Sequence, residues 1–363
     1  MNDAPDSQAR RLFSSGRLCL FGEHTDWAAT YGQHPGYCLV IGTDQGIAAT
    51  ARPDDKFSVE SLVPDSRGRA TGRTRQMSCP FDPADLLAAA EDDQEFFRYC
   101  AGTALAMSKH PQVTGGLNVR IDRMDLPLAK GVSSSAAVCI LIAEAFNQVY
   151  SLGLFPHELM DAAYRGETMT GSQCGRMDQA CIYGKIPVLL DFVRDTRPRV
   201  EPVNAGGTFR MFFVDLAGKK DTVTILNDLR SAYPRSTELQ EALGSDNEGI
   251  VRQACRVLSI GDAEAFGKLM TAAQQVFDRK VAPHSPDQLA SPLLHELLGW
   301  DELKGLIWGG KGVGSQGDGT AQFVARSQAD RDRAMKLITE KHPEMQCFAM
   351  TIAPSACGAE SPQ

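Results

Sequence analysis

Along the first fifty positions the apolar residues come in short runs separated by glycine turns: RLCLF from Arg17, YCLVIG from Tyr37 and GIAATA from Gly46. Runs of this length bounded by turn residues predict strands. Residues 52–83 are polar and rich in Arg, Asp and Pro, a pattern for edge strands or a long loop. From 84 to 109 the spacing becomes helical, carried by Leu86, Leu87, Phe96, Phe97, Tyr99 and Leu105. GGLNVRIDRMDLP then alternates, with Leu117, Val119 and Ile121 on one face of a strand. After a Gly-Ser loop, SSSAAVCILIAEAFNQVY and FPHELMDAAYRGETM predict two helices, and a third starts at about Arg176. PVLLDF and TFRMFFVDLA read as strands, and helices dominate 222–281, two of them joined at Gly261. GLIWGGKGVGSQGDG reads as a glycine loop and QCFAMTIA as a last strand. The mixed order of strands and helices favours α+β over a regular βαβα wind.

Composition narrows the classes. A length of 363 residues suffices for two domains, and the softest boundary is the Arg/Pro/Gly-rich stretch 194–207. With 43% hydrophobic and 23% charged residues the chain is that of an ordinary soluble protein. A net charge of −8 argues against nucleic-acid binding and against docking on anionic membranes. The ten cysteines are scattered, with no CxxC pair and no zinc spacing, so they are expected to act as small hydrophobes in a reducing compartment. The polar start MNDAPDSQARR is no signal peptide, and the longest apolar run, Ala136–Ala143, is too short for a membrane span. The expectation is a cytoplasmic protein.

Two stretches carry chemistry. PLAKGVSSSAA (127–137) runs directly into a helix. Its small residues let backbone approach a ligand, exposed amides at the helix start form an anion site, and serine hydroxyls suit phosphate oxygens or Mg²⁺. One serine would suffice as a helix cap; three after a Lys-Gly exceed that need. The second stretch is GRLCLFGEHTDW (16–27), where Glu23, His24 and Asp26 arrive together at a strand end.

PLAKGVSSSAA resembles the second motif of the GHMP kinases, the family of galactokinase, homoserine kinase, mevalonate kinase and phosphomevalonate kinase. GRLCLFGEHTDW resembles the galactokinase signature, and GETMTGSQCGRMDQ (166–179) is similar to the segment holding the family's metal-binding glutamate and catalytic aspartate. This resemblance implies a two-lobed α+β fold: a ribosomal-protein-S5-domain-2-like lobe at 10–200 and a ferredoxin-like lobe at 201–354. Residues 1–9 and 355–363 would be disordered tails. It implies ATP and Mg²⁺ as cofactors, a small-molecule sugar as partner, and phosphorylation of a monosaccharide to a sugar 1-phosphate. The oligomeric state is left open.

Residue by residue, the resemblance implies Asp178 as catalytic base and Arg17 beside it, bonding phosphate oxygens. Lys130, Gly131, Ser133, Ser134, Ser135 and Phe96 would bind ATP; Ser135 and Glu167 would hold the metal. Glu23, His24, Asp26, Gly175 and Tyr233 would grip the sugar, since a carboxylate can accept bonds from neighbouring hydroxyls. The family's glycine loop is replaced by GKGVGSQGDGTAQF (310–323), in which Gln316, Asp318 and Thr320 intrude. Two placements stay open: along the phosphates or the acceptor, or, since an added Asp beside phosphate is electrostatically awkward, facing the substrate or a metal. Two alternatives stay open: a kinase for a non-sugar alcohol such as mevalonate, against which Asp26 and CGRMDQ speak, and a non-catalytic sugar and ATP sensor, against which the intact serines, Glu167, Asp178 and Arg17 speak.

Overall fold

The computed structural model describes residues 8–64, 70–126, 133–192 and 197–354. The chain forms two compact units, each interrupted in sequence. The first takes the described parts of Met1–Arg17, Gly42–Ala129 and Ser133–Gly184; the second takes Leu18–Ile41 and Lys185–Gln363. The second unit takes up the chain at Lys185 and also recruits Leu18–Ile41. Backbone pairing accounts for part of this: Tyr37–Val40, early in the chain, pair with Asp191–Val188.

Strand β1 is Arg10–Phe21 and β2 is Tyr37–Asp54, longer than its apolar runs suggest. In the first unit, β3 (Lys56–Pro64), β4 (Ala70–Pro80) and β5 (Gly116–Met124) order as β4-β3-β5-β2. All neighbours are antiparallel except β3 and β5. The polar stretch 52–83 therefore supplies an edge hairpin rather than a loop. The helix Ser134–Val149 buries Ala136, Cys139, Ile140, Ala143 and Phe146, as its nearly unbroken apolar run predicts. Phe146 stacks between Phe57 and Phe81.

The second unit contains β6 (Val188–Asp191), β7 (Arg199–Pro202), and an antiparallel sheet in the order β11-β8-β10-β9. Its strands are β8 (Phe209–Asp215), β9 (Ile307–Gly312), β10 (Thr320–Ala325) and β11 (Gln346–Ile352). Phe212 and Phe323 stack at the centre of a core that also holds Val214, Leu294, Leu297 and Ile338. Residues 222–281 are largely helical, and Gly261 ends one helix at φ 79°, a left-handed value natural for glycine. Two expectations are corrected. The segment after Arg176 forms the short 3₁₀ stretch Asp178–Tyr183, not a full helix. IWGGKG is strand β9, because glycine there admits close neighbours rather than a turn: a Cβ on Gly309 would lie 2.0 Å from the Gly267 carbonyl. Among the described residues no helix is long and apolar enough to cross a membrane.

Candidate active site

The chemistry of the first unit gathers where β1, the serine-started helix and the CGRMDQ segment meet. Ser133 sits at φ 56° just before the helix Ser134–Val149, a left-handed value costly for a non-glycine residue and characteristic of functional turns. Its hydroxyl accepts from Arg17 Nη2 at 2.6 Å. The same Nη2 is ion-paired with Asp178. Arg17 is 4% exposed and Asp178 20%, so the cation is enclosed while its carboxylate keeps a solvent-facing side. Asp178 is held in place by its neighbour: Arg176 pairs with Asp161 at 2.9 Å and lies 4.1 Å over the Tyr164 ring. Ser15 Oγ donates to the Cys181 carbonyl and ties β1 to the 3₁₀ stretch.

Glu167 comes from the helix Pro156–Thr168, which approaches the helix Arg98–Met107 closely because both lack a Cβ at the crossing. A methyl on Gly166 would lie 2.4 Å from Thr103 Cα. Glu167 is 1% exposed. It accepts from Ser135 Oγ at 2.7 Å and from Gln179 Nε2 at 2.9 Å. Burial pushes its carboxyl up to about 7, assisted by the charge of Asp178 and opposed by those hydrogen bonds. A buried carboxylate served by neutral donors alone, beside a serine hydroxyl, is a hard-oxygen pair suited to Mg²⁺. Among the described residues no group of three His, Cys, Asp or Glu could hold a metal, so remaining ligands would have to come from phosphate oxygens and water.

In the second unit the Glu-His-x-Asp cluster follows Gly22, whose φ of +99° and lack of a Cβ admit the Tyr37 carbonyl, 2.2 Å from where a Cβ would sit. His24 is also left-handed, at φ 68°. The ring of His24 stacks on Phe277 and meets Trp27 edge-on. Its Nδ1 accepts from Trp27 Nε1 at 3.0 Å. Burial pulls the imidazole down to about 4, helped by the charges of Lys220, Arg230 and Lys311, with the Ser315 backbone pulling the other way. Asp26 Oδ1 accepts from the Trp27 backbone N–H at 2.9 Å. Glu23 is ion-paired with Lys311, a lysine within β9 that also donates to the Gly312 carbonyl at 2.8 Å. Both side chains are nearly sealed, at 5% and 2%. A cavity of about 40 Å³ lies against the pair, with Asn247, Gln316, Phe21 and Phe277 in its wall.

The intruding residues of the glycine segment are each bonded to, or buried within, the second unit. Asp318 accepts from the backbone N–H groups of Leu293 (3.2 Å) and Leu294 (3.0 Å), at the start of the helix Pro292–Gly299. An anion there offsets the helix dipole and satisfies orphan donors. Gln316, at φ 62°, accepts from Gln274, whose own oxygen takes the Gly312 N–H. Thr320 begins β10 and is buried.

Arg17, Asp178 and Ser133 thus form one hydrogen-bonded and ion-paired group and Ser135 and Glu167 another, coupled through the charge of Asp178 on Glu167, with Ser134 opening the helix and Gly175 in the segment before Asp178. Glu23, His24 and Asp26 are neighbours in the second unit. Tyr233, expected to touch substrate, is fully buried among Trp27, Tyr31 and Leu229, with its hydroxyl unpartnered. Phe96 is 40% exposed under the Arg75 guanidinium. Lys130 and Gly131 lie outside the described residues. Lys311 is the residue that pattern reading missed; a charged side chain inside a glycine strand was the available signal. Burial raises the Cys139 and Cys181 thiols well above their ordinary range.

Residues 98–185 match the family model of the GHMP kinases N terminal domain, and the chain as a whole has the GHMP kinase fold. It superposes on Lactococcus lactis galactokinase complexed with galactose with a TM-score of 0.70 at 16% identity, covering 96% of this chain and 95% of the other. With L. major mevalonate kinase in complex with R-mevalonate the TM-score is 0.72 at 20% identity, covering 97% and 99%. Among curated sequences it is similar to galactokinases. It is 25% identical over 292 residues to that of Thermococcus kodakarensis, covering 73% of this chain and 77% of the relative. It is 28% identical over 194 residues to that of a Roseiflexus species, where the match spans 52% of this chain and less than half, 44%, of the relative's length.

Proposed function

We propose that this chain is an ATP-dependent kinase that phosphorylates a monosaccharide, galactose or a related sugar, at its anomeric hydroxyl. The observation that carries the reading is the Arg17–Asp178 ion pair with Ser133 on the same guanidinium. Beside it, Glu167 bonds Ser135 and feels the charge of Asp178. The named curated relatives are galactokinases, which favours a sugar over mevalonate as the acceptor.

In this mechanism Asp178 takes the proton of the acceptor hydroxyl as its oxygen attacks the γ-phosphorus of ATP. The bond from that phosphorus to the β–γ bridging oxygen breaks, and ADP leaves. Arg17 neutralises charge that grows on the transferring phosphoryl group; positioning and neutralisation supply most of the acceleration. Mg²⁺ would be held by Ser135 and Glu167 and would screen the phosphate oxygens. Glu23, His24 and Asp26 would hold the sugar.

The test is ADP release from Mg²⁺·ATP over a panel of hexoses, pentoses, uronic acids, amino sugars and mevalonate, with Asp178→Asn as control. Turnover on a sugar that the control loses supports the reading. Turnover on mevalonate alone points to the non-sugar alcohol kinase, and tight binding without turnover points to a sensor.

A further inference from the structure

His24 is 4% exposed and its two ring nitrogens are treated very differently. Nδ1 meets the indole N–H of Trp27 at 3.0 Å. An indole nitrogen can only donate, so Nδ1 must accept and the ring proton of the neutral imidazole belongs on Nε2. That Nε2 is buried and has no hydrogen-bond partner. The Ser315 backbone stands as a weak hydrogen-bonding neighbour of the ring, short of a formed bond on Nε2. A buried unpaired N–H is costly and calls for an acceptor. The ring cannot rotate to relieve it: Phe277 stacks on it with centroids 6.1 Å apart, and Trp27 meets it edge-on at 5.9 Å. The left-handed backbone at His24 adds strain that the fold sustains at this one point of the cluster. Protonation is opposed by burial and by Lys220, Arg230 and Lys311, so His24 remains a neutral, one-donor group beside the carboxylates of Glu23 and Asp26.

We propose that Trp27 is a positioning residue of the acceptor site, its indole N–H holding His24 as the Nε2-protonated tautomer so that one buried N–H is reserved for an oxygen of the bound alcohol. Two acceptor carboxylates and one fixed donor then read a polyhydroxylated ligand by both halves of its hydroxyl groups: their protons go to the carboxylates and one lone pair goes to His24. This rests on the proposed sugar-kinase reading for the ligand, but not for the tautomer.

The first arm of the test therefore uses the ligand-free full chain. Nitrogen-15 NMR at pH 7 is expected to show a through-hydrogen-bond coupling between the Trp27 indole nitrogen and His24 Nδ1, with the histidine proton on Nε2. With 3 tryptophans in the chain the indole signals are few. A proton on Nδ1, or an imidazolium, overturns the proposal without any variant. The second arm is Trp27→Phe, which keeps the ring and removes the N–H. Its KM for whichever sugar releases ADP is expected to rise about tenfold, with KM for ATP unchanged. An unchanged sugar KM in a folded variant overturns the positioning role. If no alcohol in the panel turns over, the sugar-kinase reading fails, while the coupling still decides the Trp27–His24 pair.

Discussion

Two enclosed cation–carboxylate pairs, one in each unit, are built for different ends. Arg17–Asp178 shuts away its cation but leaves the carboxylate 20% exposed, and its guanidinium also reaches a serine that opens a helix. Lys311–Glu23 closes both partners, at 2% and 5%, and spends a further lysine donor on the Gly312 carbonyl. An ion pair with an open carboxylate can exchange its partner for a substrate proton; a sealed one mainly fixes geometry. Buried pairs give little net stability over a well-packed apolar substitute, but removing one partner strands a charge. The comparison thus sets an Asp178 open to solvent against a Lys311 sealed with its partner.

The largest expected effect breaks the first pair. Asp178→Asn keeps the side-chain size and is expected to lower kcat by about 10²–10⁴-fold, while the melting temperature falls because the enclosed Arg17 loses its carboxylate. Steady-state ADP release alongside a thermal melt checks both halves.

Breaking the second pair is read in stability. Lys311→Met leaves Glu23 uncompensated and is expected to cost about 3–5 kcal/mol of stability. Adding Glu23→Leu should recover much of the loss, which denaturant titration of the single and double variants would measure. If Lys311→Met melts like the wild type, the pair is not architectural.

A smaller effect comes from the helix Pro292–Gly299. Asp318→Ala removes the carboxylate from its first N–H groups and should cost about 0.5–2 kcal/mol. Equilibrium unfolding gives the number; a change in sugar KM larger than the stability loss would return Asp318 to the ligand side.

The smallest separates by pH. Glu144, half-buried on the helix Ser134–Val149, is raised to about 7 by burial. The folded chain therefore holds that proton more tightly than the unfolded one, so its stabilising contribution is full at low pH and is lost as pH rises through about 7. Glu144→Gln is expected to melt above the wild type at pH 8 and to approach it as pH falls below about 4.5.

The same contrast explains what could be read from the chain. Arg17, Ser133, Ser135, Glu167 and Asp178 fall in short motifs that resemble those of a known family, so these residues could be singled out before any coordinates. Lys311 reaches Glu23 across 288 positions, and Asp318 caps a helix 24 residues upstream. Neither partnership leaves a local pattern. The helix Ser134–Val149 and the break at Gly261 were legible because apolar spacing and a left-handed glycine act locally. Strand β9 was not, since glycines that read as a loop serve there to admit the Gly267 backbone and Phe323. Tyr233, which a resemblance in sequence links to substrate, lies in an aromatic cluster with Trp27 and Tyr31 that no local pattern announces.

The central claim is transfer of the γ-phosphoryl group to a sugar hydroxyl with Asp178 as base. Phosphorus-31 NMR of a mixture of the chain, Mg²⁺·ATP and galactose, followed by the other sugars of the panel, tests it most directly. The account predicts loss of the γ-phosphate signal and growth of a sugar phosphate coupled to a single anomeric proton, absent with Asp178→Asn. A γ-phosphate that persists with every sugar, or a product that forms at the wild-type rate with Asp178→Asn, would contradict it.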